Sequence, residues 1–161
     1  MEKLPNRRRL YHVPPAWVKS SSLYFVTICC ATRGQNQLCL PPVADGLLES
    51  ALFYHSSSRW WVDTFLLMPD HVHALVAFPK VESLLSVVRV WKGYQAKRLG
   101  IEWQVGFFDH RIRSNESASE KRAYILMNPV RAGLVARAED WPYILDDGAR
   151  ATARPEDSPY L

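Results

Sequence analysis

The sequence predicts one α+β domain, an antiparallel-rich sheet with helices packed on one of its faces. Three observations predict it. A length of 161 residues favours a single domain. The apolar segments follow the order strand, helix, strand, strand, helix, strand, helix, as in the split β-α-β arrangement of ferredoxin-like folds. Only the turn pair Pro69-Asp70 separates strands two and three, which indicates an antiparallel hairpin.

Four segments are predicted to be strands. Residues 23–30 are rich in aromatic and β-branched side chains, and a Gly/Asn turn region follows them. Residues 60–68 form a second apolar run, and residues 71–78 alternate in the manner of a paired third strand. Residues 103–113 could supply a fourth strand.

Three segments are predicted to be helices. Residues 43–55 and 82–99 carry apolar side chains at helical spacing, and Gly100 is placed to end the second helix. A third helix is expected to begin after Ser117, where the S-x-x-E pattern of a capping box occurs. It should end near Asn128, because the proline that follows disfavours helical geometry in the residue before it.

The charge is distributed unevenly along the chain. Residues 1–137 hold 18 Lys and Arg against 10 Asp and Glu, whereas residues 138–161 hold 2 against 6. Residues 1–145 are therefore expected to form a basic domain with a basic arm over residues 1–20, and residues 146–161 a flexible acidic tail. A basic domain with six Trp and seven Tyr suits a polyanion with stackable bases, although a merely solubilising surface stays open.

Several classes of protein are excluded by composition. Hydrophobic residues make up 48% of the chain, which is too many for a disordered protein. No stretch approaches the roughly 18 apolar residues of a membrane helix, and the basic N-terminus lacks the apolar run of a secretory signal. Three cysteines, an odd number, fit a reducing cytosol better than a disulfide framework. The expected location is the cytoplasm.

The pair His71-x-His73 is the most specific local pattern. Alternate residues of a strand share a face, so the two imidazoles should lie side by side, about 6–7 Å apart at Cα. Two such rings can share one divalent ion as neutral donors. Two ordinary histidines in a sheet remain the alternative for so short a pattern. A histidine-triad hydrolase is disfavoured, because Leu75 stands where its third histidine is needed.

A structural zinc site is a further alternative. Three cysteines, Cys29, Cys30 and Cys39, are available as ligands. Such a site needs four ligands, and adjacent cysteines on a strand point to opposite faces. Buried, small apolar cysteines account better for all three.

Tyr124 and Asn128 are the second candidate pair. They lie four residues apart in the predicted third helix, so both occupy one helical face. A phenol and an amide one turn apart could both face a metal that a sheet holds. Spacing alone is equally compatible with a core or rim tyrosine.

Three ordered segments resemble the REP-associated tyrosine transposases, which are single-tyrosine HUH transposases. The segment LMPDHVH (67–73) resembles their His-hydrophobic-His strand, and WQVGFFDHRIR (103–113) resembles their Trp-Gln segment. The run from Tyr124 through NPVRAGLV, followed by Trp141-Pro142, resembles their tyrosine helix. The resemblance covers roughly residues 7–145 and implies the HUH nuclease fold.

The resemblance also implies roles for individual residues. His71 and His73 would hold a divalent ion, Mg²⁺ or Mn²⁺, with Asn128 as a third ligand. Tyr124 would be the nucleophile, attacking a phosphodiester to leave a 5′-phosphotyrosine and a free 3′-hydroxyl. His110 matches the family segment without an assigned chemical role. In dimeric relatives the partner chain can supply the tyrosine helix, so the resemblance also allows a homodimer.

The implied substrate is single-stranded DNA beside a hairpin, as in palindromic REP-like repeats of a bacterial nucleoid. Basic residues are candidate DNA contacts; they are Arg7, Arg8, Arg9, Arg89, Lys92, Lys97, Arg98, Arg111 and Arg113. Two alternatives remain, an inactive hairpin-binding protein on the same fold and a small-molecule metal hydrolase, which would need no basic surface.

Overall fold

The computed structural model describes residues 15–20, 22–113 and 116–145. The strands are β1 (Leu23–Cys29), β2 (Trp61–Met68), β3 (His71–Ala77), β4 (Phe108–Arg111) and β5 (Ile144–Leu145). The helices are α1 (Pro41–Ser56), α2 (Leu84–Leu99) and α3 (Ala118–Arg131). The predicted tail and most of the predicted arm, including Arg7, Arg8 and Arg9, lie outside the described residues.

All five strands pair antiparallel in the order β4-β1-β3-β2-β5. The predicted hairpin of the second and third strands is confirmed, with Met68 opposite His71. The fourth strand is shorter than predicted, because Trp103 makes only an isolated bridge to Cys30. Strand β5 was not predicted; its two residues, Ile144 and Leu145, pair with Leu66 and Phe65 of β2.

Helices cover both faces of the sheet, so the prediction that they pack on one face is wrong. Phe65 of β2 contacts Trp91 of α2 at 5.6 Å between ring centroids. Ala74 pairs with Phe65 and shares its face, so the neighbouring residue His73 points to the other face. There His73 contacts Tyr124 of α3. With apolar cover on both sides, β2 is buried along its whole length and β3 along all but its first residue.

Local sequence signals set most helix ends. Pro41 and Pro42 open α1, where a missing N–H has no cost. Ser83 caps α2 by accepting from the Ser86 N–H, and Gly100 ends that helix at φ 70° as predicted. Within the described residues, no helix is both long and apolar enough to cross a membrane.

The third helix begins as predicted but ends later. The Ser117 hydroxyl accepts from the Glu120 N–H at 3.2 Å. The helix then continues through Pro129 to Arg131, so the predicted end at Asn128 is wrong. The restriction before proline is a bias, and here the buried Pro129 packs while the Asn128 carbonyl still accepts from Ala132 N–H at 2.9 Å.

A buried ion pair fixes α3 to the sheet. Asp63 lies at the point where the register of β2 against β3 shifts, and it is completely buried. The Arg122 Nε and Nη2 atoms donate to its two carboxylate oxygens at 2.7 and 2.8 Å. The Thr64 hydroxyl donates to the same carboxylate at 2.9 Å. The register shift in β2 thus directs the Asp63 carboxylate toward α3, where it binds Arg122.

Arg122→Met should lower the free energy of unfolding by about 3–5 kcal/mol, because it leaves the Asp63 charge buried without its cation. Arg137→Met is the matched control, since Arg137 pairs with the exposed Asp140 and exposed pairs contribute only about 0–1 kcal/mol. Urea unfolding of both variants measures the difference. Equal losses would show that the Asp63 pair does not anchor the helix.

Candidate functional site

His71 and His73 project from the start of β3 onto the face that α3 covers. Their ring centroids are 4.7 Å apart and the ring planes are nearly perpendicular. The prediction that both rings share one face is confirmed by the register, which pairs His71 with Cys29 and His73 with Thr27 on β1. The structure therefore places two imidazoles side by side.

Asp70 orients the first imidazole. Its carboxylate accepts from His71 Nδ1 at 2.7 Å, so this nitrogen carries the hydrogen and Nε2 of the neutral ring keeps its lone pair. Gly34 N–H donates to the same carboxylate at 2.8 Å, and Arg33 Nε lies 3.1 Å away. Burial would raise the pKa of Asp70, but Gly34, His71 and Arg33 together hold it below the ordinary value.

The second imidazole is buried and neutral. His73 Nδ1 lies 3.0 Å from the Thr27 hydroxyl, so Nε2 is the ring nitrogen of His73 that could bind a metal. Burial, with the charges of His71, Arg131 and Arg33, lowers the pKa of His73 to about 3. An imidazole that stays unprotonated at neutral pH is the form that binds metals.

Tyr124 of α3 lies over the second imidazole. Its ring centroid is 6.5 Å from that of His73 and 6.1 Å from that of Phe25. The side chain is 52% exposed, whereas the next residue, Ile125, is fully buried against the sheet. Both rings belong to the same chain, so one chain brings a solvent-accessible phenol beside its own histidine pair.

Asn128 and Arg131 share the face of α3 that carries Tyr124. The Arg131 guanidinium carbon lies 4.3 Å from the Tyr124 ring centroid, and Nη2 donates to the Tyr124 carbonyl at 2.7 Å. The Asn128 Nδ2 atom is buried with no hydrogen-bond partner. This –NH2 group can only donate hydrogen bonds, so the atom of the side chain that could bind a cation is Oδ1.

These residues fit a divalent ion with nitrogen and oxygen donors. Asp70 contacts Nδ1 of His71, and Thr27 contacts Nδ1 of His73. Hydrogen bonds of this kind orient the imidazoles of metal sites. The Oδ1 atom of Asn128, on the α3 face that carries Tyr124, is the candidate third donor. No group of three or more His, Cys, Asp or Glu side chains suited to a metal occurs in the described part of the chain, so further donors would come from Asn128, water or substrate.

The predicted DNA contacts fall in separate places. Arg89, Lys97 and Arg98 are exposed on α2, the helix on the sheet face opposite the histidines. Arg111 and Arg113 are exposed at the β4 edge, where they help to line a surface hollow of about 550 Å³. The structure therefore does not bring all the predicted cations to the histidine pair.

Lys92 does not have the exposed position that was predicted for a DNA contact. It is buried, and its Nζ donates to the Gln104 carbonyl at 2.9 Å and to the Gly106 carbonyl. Burial lowers the pKa of this ammonium group. The helical spacing of α2 did not reveal that Lys92 faces the 103–107 loop.

His110 forms a hydrogen bond with Glu116, away from His71 and His73. Its Nε2 lies 2.9 Å from both carboxylate oxygens of Glu116, which also accepts from Arg113 N–H. The hydrogen bond from His110 is the main reason that the pKa of Glu116 is lowered. His110 thus links the β4 edge to the segment before α3.

The cysteines are free thiols. Cys30 and Cys39 are buried as predicted, whereas the prediction is wrong for Cys29, which is only partly buried. Burial, with the nearby Asp70 and Cys29, raises the pKa of Cys30 to about 11, and burial also raises the pKa of Cys39. Protonated, buried thiols behave as small apolar side chains.

Solved structures of transposases share this fold. A REP-associated tyrosine transposase bound to a REP hairpin superposes with a TM-score of 0.65 at 23% identity, covering 90% of this chain and 87% of that one. A "putative transposase" of Deinococcus radiodurans superposes with a TM-score of 0.50 at 19% identity, covering 65% and 88%. The α+β class with an antiparallel sheet is confirmed.

Sequence relatives carry the family name. The "Putative REP-associated tyrosine transposase" of Haemophilus influenzae is 26% identical over 141 residues, 75% of this chain and 77% of that protein. The REP-associated tyrosine transposase of Escherichia coli K12 is 28% identical over 85 residues, 51% of this chain and 52% of that protein. No protein-family model matches the chain. The resemblance to REP-associated tyrosine transposases is confirmed.

Sequence reasoning missed three residues of the site. Asp70 was interpreted only as a turn residue, although it directly precedes His71. Arg131 lies seven residues after Tyr124, a spacing that returns to the same helical face and could have identified it. Thr27 carries no local signal, because its contact with His73 depends on the register of β1 with β3.

The neutral state of His73 predicts acid sensitivity of the metal-free protein. Since the pKa of His73 is lower in the folded than in the unfolded state, its contribution to stability is complete above about pH 6.5 and is lost as the pH falls toward 3. When the pH is lowered from 7 to 5 in EDTA, the free energy of unfolding of the unaltered protein should fall by about 2 kcal/mol more than that of the His73→Gln variant, whose residue 73 cannot titrate. Urea unfolding at both pH values measures this. Parallel losses would mean that His73 titrates normally.

Proposed function

We propose that this protein is a metal-dependent, single-stranded DNA endonuclease and strand transferase of the transposase type, acting on repeat hairpin DNA through Tyr124. The observation that carries the proposal is the accessible Tyr124 ring 6.5 Å from His73, next to a second imidazole in the same chain. The names of the sequence relatives and the hairpin bound to the structural neighbour support the same function.

The Tyr124 hydroxyl is the proposed nucleophile. Its oxygen attacks the phosphorus of a phosphodiester, a new P–O bond forms to the phenol, and the bond to the 3′-oxygen breaks. The phenol loses its proton, and the departing 3′-oxygen gains one. One phosphodiester replaces another, so the step is nearly thermoneutral and its reversal rejoins strands without a nucleotide cofactor.

Other residues of the site prepare the reaction. His71 and His73 would hold the ion with Asn128 as a further donor, and Asp70 and Thr27 orient the two rings. When bound there, a divalent ion supplies polarisation of a non-bridging phosphate oxygen. Arg131, beside the phenol, adds a positive charge that offsets the charge of the incoming phosphodiester.

The substrate is proposed to be unpaired DNA next to a hairpin. Tyr124 lies on a helix that packs over the sheet, so a phosphodiester must enter the space between them. A free strand can bend to do so, whereas a paired strand is held in its duplex. Arg111 and Arg113 are exposed at the sheet edge on the side of β1 away from β3. Arg111 pairs with Tyr24 and so lies on the face opposite the histidines, which suits a phosphate of the strand where it crosses this edge.

The reaction is proposed to occur within one chain. The predicted dimer is not required to complete this site, because Tyr124 already contacts His73 of its own chain. The proposed substrate is chromosomal DNA, which places the protein in the bacterial cytoplasm at the nucleoid.

Tyr124→Phe should abolish the covalent protein–DNA adduct while leaving hairpin binding intact, because it removes only the nucleophilic oxygen. The assay incubates labelled hairpin oligonucleotides with Mn²⁺ and separates the products on a denaturing gel. Tyr94→Phe is the matched control, since Tyr94 is 54% exposed on α2 and should retain the adduct.

Two results would contradict parts of this proposal. An adduct that persists in Tyr124→Phe would refute the assignment of the nucleophile. Hairpin binding without an adduct from the unaltered protein, under every divalent ion, would favour the inactive DNA-binding alternative.

Asp70→Asn should weaken Mn²⁺ binding about 10- to 100-fold, because the amide no longer fixes the His71 tautomer as a carboxylate does. Isothermal titration calorimetry with Mn²⁺ alone measures the affinity, and circular dichroism checks the fold. Asp109→Asn, which removes an exposed carboxylate of β4, is the control and should bind Mn²⁺ unchanged. Equal affinities for the Asp70 variant and the unaltered protein would show that Asp70 does not orient a ligand.

A further inference from the structure

An exposed phenylalanine lies in the same cross-strand row as the second histidine. Phe108 of β4 pairs with Thr27 of β1, and Thr27 pairs with His73 of β3. Residues that pair directly share a face, so Phe108 lies on the face of the histidine pair, two strand spacings or about 10 Å from His73. Its side chain is 73% exposed, so most of the Phe108 ring is open to solvent beside the histidine pair.

A hollow of about 200 Å³ lies beside this ring. Thr27, Cys29, Phe108 and residues 104–107 line it. Thr27 also holds His73 through its hydroxyl, so the hollow and the histidine pair share a wall. The volume is smaller than the roughly 300–1,000 Å³ of typical small-molecule pockets and suits one flat ring system rather than a whole nucleotide.

The far wall of the hollow is already fixed by internal hydrogen bonds. Lys92 donates to the carbonyls of Gln104 and Gly106, and Gln104 N–H donates to the Cys29 carbonyl at 2.9 Å. Gly106 takes a φ of 76°, which allows the loop to turn toward β4. The loop thus forms a wall without a ligand, and the buried Lys92 has a structural explanation.

We propose that Phe108 and this hollow bind one unpaired base of the strand whose phosphodiester Tyr124 attacks. This proposal rests on the proposed function, and it adds that the protein binds a base of the DNA strand as well as its phosphodiester. A base has a flat face that stacks on an aromatic ring whatever its sequence, and the exposed Phe108 ring offers such a surface. The shared Thr27 wall sets the base close to the reacting phosphodiester, so gripping it would position the strand for attack.

The test uses the full chain and a hairpin oligonucleotide with a single-stranded flank. 2-Aminopurine, whose fluorescence falls on stacking, replaces one flank base at a time. Binding should quench it at one or two adjacent positions only. Phe108→Ala should remove this quenching and weaken binding roughly 5- to 150-fold, whereas Phe108→Trp should keep both. Phe53→Ala is the matched control, because Phe53 is 67% exposed on α1, which lies on the opposite side of the sheet.

A hairpin without the flank separates this inference from the proposed function. Phe108→Ala should bind it as the unaltered protein does, which also shows that the variant is folded. If the unaltered protein forms the DNA adduct and Phe108→Ala leaves the quenching unchanged, the base-binding inference is overturned and the proposed function stands. If the unaltered protein binds no DNA, both are overturned.

Discussion

The buried pair between Asp63 and Arg122 determines where the candidate nucleophile lies. Asp63 stands at the irregularity of β2, and Arg122 grips it with two hydrogen bonds just before Tyr124 on α3. The buried residues of α3 are Ile125 and Pro129, so this bidentate charged contact is a further, directional contact of the helix with the sheet. In this placement of α3 the Tyr124 ring lies beside His73.

The histidines depend on burial in an equally direct way. Two helix layers exclude water from β3, and this burial keeps His73 neutral. Asp70 contacts Nδ1 of His71, and Thr27 contacts Nδ1 of His73. The same burial that stabilises the sheet thus prepares two nitrogen donors. The edge strand β4 remains exposed and carries the features suited to DNA, the Phe108 ring with its hollow and the cations Arg111 and Arg113.

Local signals in the sequence were sufficient for part of this account. The hairpin, the Ser117 cap and the shared face of His71 and His73 follow from turn chemistry, capping and strand alternation. Three features do not: the packing of α3 on the second face, the continuation of α3 through Pro129 and the burial of Lys92. Each depends on contacts between distant segments, which periodicity within one segment cannot report. The resemblance identified Tyr124, whereas spacing alone could not select it among seven tyrosines.

The central claim is that the Tyr124 oxygen becomes joined to DNA at the histidine pair of its own chain. Mass spectrometry of the tryptic peptides, after reaction with hairpin DNA and Mn²⁺, tests it directly. Cleavage after Arg122 and Arg131 releases residues 123–131, in which Tyr124 is the only tyrosine. The account predicts a nucleotide attached through a 5′-phosphate to this peptide. A nucleotide on a different peptide, or on none while the DNA is cut, would contradict it.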